Sequence, residues 1–118
     1  MALILVVEDS SFQRKIIIKI LEKAGNKTLF AENGIKGMEV LETHQPDCIF
    51  CDLLMPEMDG FGFIEALNEK KISIPLIYLT SDIQDTVKQR CLALGAKGFL
   101  NKPAQETQIL GILKSVLG

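Results

Sequence analysis

Short apolar runs alternate along this chain with longer stretches whose apolar residues recur at helical spacing. Repeated exchange of a strand period for a helix period leaves few folds open. Leu3–Val7 is continuous and β-branched-rich, which predicts a strand buried on both faces of a parallel sheet. Ser10 or Ser11 can cap a following helix that runs to about Ala24, with Phe12, Ile16, Ile17, Ile20, Leu21 and Ala24 on one face and Gly25-Asn26 ending it. Lys27 to Ala31 predicts a second strand, and Asn33-Gly34 a second helix carrying Met38, Val40 and Leu41 and closed by Gln45-Pro46. Cys48 to Cys51 is a third strand, followed by a loop from Asp52 to Asp59 and a helix from Gly60 to about Lys70. After Pro75, Leu76–Leu79 is a fourth strand. Ser81 or Asp82 caps a helix with Ile83, Val87, Cys91 and Leu94 at helical spacing, stopped by Gly95. Gly98–Leu100 is a short fifth strand. Pro103 marks a helix start, and Ile109, Leu110, Leu113, Val116 and Leu117 form the last apolar stripe. Five βα units with apolar strands imply one parallel sheet between two helical layers.

At 118 residues the chain has room for one domain. Lys+Arg 13 against Asp+Glu 15 gives a net charge of −2, which lacks the basic footprint of a nucleic-acid binder. No apolar run approaches the roughly 18 residues of a membrane span, and the apolar start breaks at Glu8-Asp9 without the marks of a signal peptide. Three cysteines, an odd number, argue against a disulfide framework and for a reducing cytoplasm.

In an open α/β sheet, ligands bind at the carboxyl ends of the strands. Glu8 and Asp9 follow the first strand, Asp52 the third, Thr80 the fourth, and Lys102-Pro103 the fifth. Three carboxylates, one hydroxyl and one ammonium therefore converge on one rim. Carboxylates packed together resist ionisation unless they share a positive charge. A hard divalent cation with oxygen ligands, Mg²⁺, satisfies that requirement. With Lys102 beside it, the pocket suits a dianionic phosphoryl group. Asp52 is the candidate nucleophile, since a carboxylate can form an aspartyl-phosphate, and Glu8 and Asp9 are placed as metal ligands.

These residues, with Asp52-Leu53-Leu54-Met55-Pro56-Glu57-Met58-Asp59-Gly60, Leu79-Thr80-Ser81 and Gly98-Phe99-Leu100-Asn101-Lys102-Pro103, carry a resemblance. The chain resembles, over its whole length, the receiver domain of two-component response regulators, most of all the single-domain chemotaxis type. The resemblance implies a flavodoxin-like (βα)5 sandwich with strand order 2-1-3-4-5, one receiver domain over residues 1–118 and no output domain. It implies phosphoryl transfer from a phosphohistidine on a sensor histidine kinase or phosphotransfer protein to Asp52, with Mg²⁺ required and Mn²⁺ able to substitute. Glu8, Asp9, Asp52 and the Leu54 backbone carbonyl would hold the metal. Thr80 would move to the phosphoryl and Lys102 would pair with it, with a cis Lys102-Pro103 bond. Phe99 matches the aromatic switch position and would swing inward, altering the surface of the fourth helix, fifth strand and fifth helix for an effector or for phosphorylation-dependent dimerisation of a monomer. Glu8 is one methylene longer than the commoner Asp, which allows a water-mediated metal contact, and Phe99 lacks a Tyr hydroxyl. Leu54 and Asp82 stand at positions that tune dephosphorylation.

Other features carry simpler readings. Cys48 and Cys51 are three apart on a strand and diverge to opposite faces, as buried apolar residues rather than a metal pair. His44, the one histidine, is a solvated helix-end residue. Arg14, Lys15, Lys19 and Lys23 form a basic face on the first helix that either stays solvated or meets a kinase partner. Ile18 and Ile112 lie off their core stripes and are candidate partner contacts. The rival functions fit less well. A Mg²⁺-dependent aspartyl-phosphate phosphatase needs an acid two residues after its nucleophile, where Leu54 stands. A flavin or nucleotide carrier needs a phosphate loop where Glu8-Asp9 stands. A pseudo-receiver or phosphoryl sink acting by protein binding remains the nearest alternative.

Overall fold

In the computed structural model, which describes residues 2–81 and 84–118, strands β1 (Leu3–Val7), β2 (Lys27–Ala31), β3 (Cys48–Asp52), β4 (Leu76–Thr80) and β5 (Gly98–Asn101) alternate with helices α1 (Ser11–Lys23), α2 (Gly34–Leu41), α3 (Gly60–Glu69), α4 (Asp85–Ala93) and α5 (Glu106–Leu117). The strands form one sheet in the order β2-β1-β3-β4-β5, and every neighbouring pair is parallel. This is the flavodoxin-like arrangement that the resemblance implied, and its parallel sheet is the one the alternating periods predict.

Strand pleating divides the apolar residues between two cores. Leu5, Val7, Ile49, Cys51 and Tyr78 face Phe63, Ile64, Leu67 and Cys91 of α3 and α4. Ile4, Val6, Cys48, Phe50, Ile77 and Leu79 face Ile17 and Leu21 of α1 and Ile109 and Leu113 of α5. Cys48 and Cys51 thus lie on opposite faces of the sheet, and all three cysteines are buried and free. Burial pushes the Cys48 thiol up to about 12, and the Cys51 and Cys91 thiols up as well.

Helices α1, α3 and α4 stop in the same way. At each end a residue with positive φ is followed by one whose N–H reaches the carbonyl five positions back: Asn26 to Leu21, Ile72 to Leu67, Ala96 to Cys91. Two of these ends use glycine, Gly25 at φ 93° and Gly95 at φ 103°, while α3 uses Lys71 at φ 57°.

Several expected details are corrected. On α1, Phe12 and Ile16 are exposed rather than core, at 74% and 44%, and Ala24 is exposed too. Ile18 is half-buried and packs on the α1/α5 core instead of standing free. Ile112 does the same, lying over Gly98, where a Cβ would come within 2.7 Å of its Cδ1. Helix α2 ends at Leu41, ahead of Gln45-Pro46. Helix α4 begins at Asp85, with Gln84 at its N-cap rather than Ser81. Asp82 and Ile83, read as a cap, a core residue and a dephosphorylation-tuning position, lie outside the described residues. Pro103 precedes α5 by three residues, because a reciprocal capping box between Gln105 and Gln108 sets that helix start.

The order reverses direction between β1 and β3: the chain leaves β1 toward one edge and β3 toward the other. The loops after these strands diverge there and open a crevice at the carboxyl edge.

Candidate functional site

Glu8 and Asp9 leave the end of β1 at that crevice, and Asp52 closes β3 beside them. One carboxylate oxygen from each of the three lies within 4.8 Å of the others. Glu8 is fully buried and Asp52 nearly so, whereas Asp9 is exposed. The loop after β1 is held in place by its own donors. Ser10 N–H donates to Glu8 Oε2 at 3.2 Å, and the Arg14 guanidinium donates to the Glu8 carbonyl at 2.9 Å while lying over the Phe30 ring. Arg14 is therefore a structural strut of the site rather than part of a solvated basic face.

The loop after β3 is shaped by close packing at Gly60. Its N–H donates to the Leu53 carbonyl at 2.8 Å, its carbonyl accepts from the Tyr78 hydroxyl at 2.6 Å, and a Cβ there would sit 2.6 Å from the Asp52 carbonyl oxygen. Asp59 caps α3 by accepting from Gly62 N–H at 2.8 Å. Between these anchors Leu54 is 73% exposed at the rim.

Lys102 comes from the opposite side. Its backbone N–H donates to the Thr80 carbonyl at 2.8 Å, and its bond to Pro103 is cis, as the resemblance implied. The ammonium donates to Glu8 Oε1 at 2.7 Å and to Gln13 Oε1 at 2.7 Å, and pairs with Asp52 Oδ2 at 3.1 Å. Thr80 is buried at the end of β4, in register with Asn101. Phe99 is half-buried against the α3/α4 core, with the Lys88 ammonium of α4 5.0 Å from its ring centroid.

The charges respond to this crowding. Partial desolvation, with the neighbouring Glu8 carboxylate, raises the Asp9 carboxyl above its ordinary value. Burial works against the Lys102 ammonium, but Glu8 and Asp52 outweigh it and hold the group above the usual lysine range. Three carboxylates facing one ammonium leave a surplus of negative charge among hard oxygen donors. That chemistry fits a small divalent cation.

The structure thus brings Glu8, Asp9, Asp52 and Lys102 together, with Thr80 at the adjoining strand end. Phe99 lies against the α3/α4 core beside Lys88, and the Leu54 side chain is exposed at the rim two residues beyond Asp52. His44 is exposed just beyond α2 and belongs to no site: its Nδ1 lies 2.8 Å from the Thr43 hydroxyl. Gln13 was not foreseen. Following Ser10 by three, it reads as a capping residue, and only the fold shows its side chain on Lys102.

Residues 4–114 match the family model described as the response regulator receiver domain. The chain belongs to this family. Among receiver-containing proteins it is 34% identical to the protein PilH of Pseudomonas aeruginosa, over 99% of this chain and 98% of PilH. It is 40% identical to the protein-glutamate methylesterase/protein-glutamine glutaminase of Treponema pallidum, over 85% of this chain but only 26% of that protein. The structure of the Vibrio cholerae chemotaxis protein CheY4 superposes with a TM-score of 0.93 at 32% identity, covering 99% of both chains. The chain is thus a receiver domain of the two-component type, a phosphorylation-activated signalling switch. Among the described residues, no helix is long and apolar enough to cross a membrane.

Proposed function

We propose that this receiver takes a phosphoryl group onto Asp52 from a phosphohistidine of a sensor histidine kinase or phosphotransfer protein, in the cytoplasm. The supporting observation is the Lys102 ammonium held between Glu8 and Asp52 at the mouth of three clustered carboxylates. A carboxylate oxygen of Asp52 forms the new O–P bond as the donor's N–P bond breaks, and the histidine ring keeps the electron pair. Glu8, Asp9, Asp52 and the Leu54 backbone carbonyl would hold Mg²⁺, or Mn²⁺ in its place. When bound, the ion supplies positive charge to offset that of the carboxylates and the transferring group.

Lys102 screens the negative charge that builds on the phosphoryl oxygens, and stays paired with them afterwards. Its contacts with Glu8, Asp52 and Gln13 keep the ammonium aimed at the cluster. The Thr80 hydroxyl, one residue beyond the β3–β4 pairing of Asp52 with Leu79, donates to the new phosphoryl group. Phe99 pairs with Tyr78, two residues before Thr80 on β4, so displacement at Thr80 is passed to the Phe99 ring and to Lys88 above it. The surface of α4, β5 and α5 then changes for an effector or for a second copy. On the other side, the exposed Phe12 and Ile16 border a groove that runs past Pro103 to Lys102. That groove opens on the site the donor histidine must reach, and we assign kinase contact to it in place of Ile18.

Intact mass after incubation with a small-molecule phosphodonor tests the reading, since a chain with no tryptophan lacks the usual fluorescence probe. One added phosphoryl group is expected, dependent on Mg²⁺ and absent in Asp52→Asn. An adduct that persists in Asp52→Asn, or none in the wild type with Mg²⁺ bound, overturns the assignment and leaves a receiver acting by protein binding alone.

A further inference from the structure

Lys102 has three ammonium hydrogens and three acceptors: Glu8, Asp52 and the amide oxygen of Gln13. Two of the three are carboxylates of the cluster that could hold a cation. In the metal-free protein the ammonium is therefore the counter-ion of that cluster, and it competes with any cation that enters. The third acceptor is neutral, comes from a different element, and belongs to no motif that the site requires.

The geometry of α1 shows that Gln13 is committed to this task rather than placed there by chance. With Ser10 at the N-cap, Gln13 occupies the third helical position, and Ser10 Oγ accepts from its backbone N–H. Ser-x-x-Gln is the pattern of a capping box, in which the glutamine side chain would return to the Ser10 N–H. At α5, Gln105 and Gln108 form such a box in full. At α1 the second half is exchanged: the Ser10 N–H is taken by Glu8 Oε2, and the Gln13 side chain is released to Lys102. Gln13 also stands four and eight residues before Ile17 and Leu21, the two buried residues of α1, so it continues the core-facing line toward the strand ends.

We infer that Gln13 is a positioning residue that holds the Lys102 ammonium over Glu8 and Asp52 and thereby weakens the site's affinity for a divalent cation. The inference rests on the proposed Mg²⁺ site and adds its regulation. Removing the amide takes one acceptor from the in-pocket ammonium and leaves all three carboxylates unaltered. The competitor is weakened, and the cation binds more tightly. Gln13→Met keeps the length of the side chain without the amide acceptor, and Gln13→Ala removes the side chain. Because residue 13 is exposed and its backbone bond to Ser10 is untouched, both variants keep the helix start.

The test is calorimetric titration of the metal-free protein with Mg²⁺ alone, at fixed ionic strength and without phosphodonor. Loss of a single hydrogen bond to the ammonium is expected to lower the Kd about three- to tenfold in Gln13→Met and in Gln13→Ala. The same titration in the Lys102→Met background separates the mechanisms, because a residue acting through Lys102 has nothing to act on there. In that background Gln13→Met is expected to leave the Kd unchanged within about twofold. An equal gain with and without Lys102, or no gain in either background, overturns the inference while leaving the Mg²⁺ site in place. Failure of the wild type to bind Mg²⁺ at all overturns both.

Discussion

Gly60 shows how narrowly the nucleophile is placed. A Cβ at this position would lie 2.6 Å from the Asp52 carbonyl oxygen and 2.9 Å from Leu53 Cα, both backbone atoms that cannot turn aside. Gly60→Ala therefore has to push the β3–α3 loop away from α3, stretching the Gly60–Leu53 and Tyr78–Gly60 hydrogen bonds. Overpacking of this kind costs about 1–3 kcal/mol, and urea unfolding should show a loss of that order. Asp9 gives the opposite sign. Its carboxyl sits above the ordinary 3.8, so the folded protein holds that proton more tightly than the unfolded chain. Stability is then lost as pH rises through 3.8 and the folded-state value, and at neutral pH the ionised group is a net cost. Asp9→Asn should raise the melting temperature of the metal-free protein at pH 7. Saturating Mg²⁺ should reverse the ranking, because at a hundred times the Kd the wild type gains about 2.7 kcal/mol that the variant forgoes. A metal-free Asp9→Asn protein that melts lower than wild type contradicts this account. At this scale the sequence named the charged members of the site, because each stands within two residues of the end of an apolar run. It hid Gln13, since a polar residue three positions after a serine has a local explanation that only the position of Lys102 overrides.

Elements were readable where one physical signal dominated and misplaced where two competed. The central strands β1, β3 and β4 emerged cleanly because burial on both faces leaves an almost uninterrupted apolar run. The edge strands β2 and β5 are only partly buried. Helix α1 carries apolar residues around more than half its circumference, so the sequence alone could not choose among possible inward lines. The sheet selects the line through Ile17 and Leu21 and leaves Phe12 and Ile16 outside. At α5, the fixed φ of Pro103 suggested a start, but the reciprocal bonds of Gln105 and Gln108 satisfy two helix-end groups and prevail. Helix ends offer a clean comparison. Helices α1 and α4 stop on Gly25 and Gly95, whereas α3 stops on Lys71 with φ 57° and the same hydrogen-bond pattern. A side chain in the left-handed region costs about 1 kcal/mol. Lys71→Gly should therefore stabilise the protein by about 0.5–1 kcal/mol, raising the melting temperature by about 2–4 °C. An unchanged or lower melting temperature would show that the Lys71 side chain makes contacts worth more than the backbone strain it imposes.

For the molecule as a whole, the two cores place their weakly acidic groups in the interior. Cys48, Cys51, Cys91 and Tyr78 are all buried, and burial raises each of them. A thiol whose folded value lies above its unfolded one leaves stability intact below the unfolded value and removes it as pH climbs toward the folded one. For Cys48 that window runs from 9.0 to about 12. Three pH units on one group correspond to about 4 kcal/mol, a large share of the 5–15 kcal/mol typical of a domain. Cys51, Cys91 and Tyr78 add in the same direction. Lys102 does too, because its pairing with Glu8 and Asp52 is lost once the ammonium deprotonates. The domain should accordingly unfold in alkali before pH 12, cooperatively, with no disulfide to hold it. Its one tyrosine reports the event directly. Tyr78 donates to the Gly60 carbonyl from inside the α3/α4 core, so its hydroxyl cannot ionise until that core opens. In an alkaline titration, tyrosinate absorbance and loss of far-ultraviolet circular dichroism should rise together in one steep transition. A gradual one-proton tyrosinate curve near the ordinary value of 10.0, with the circular dichroism intact, would falsify the buried placement of Tyr78 and the anchoring of the Asp52 loop that depends on it.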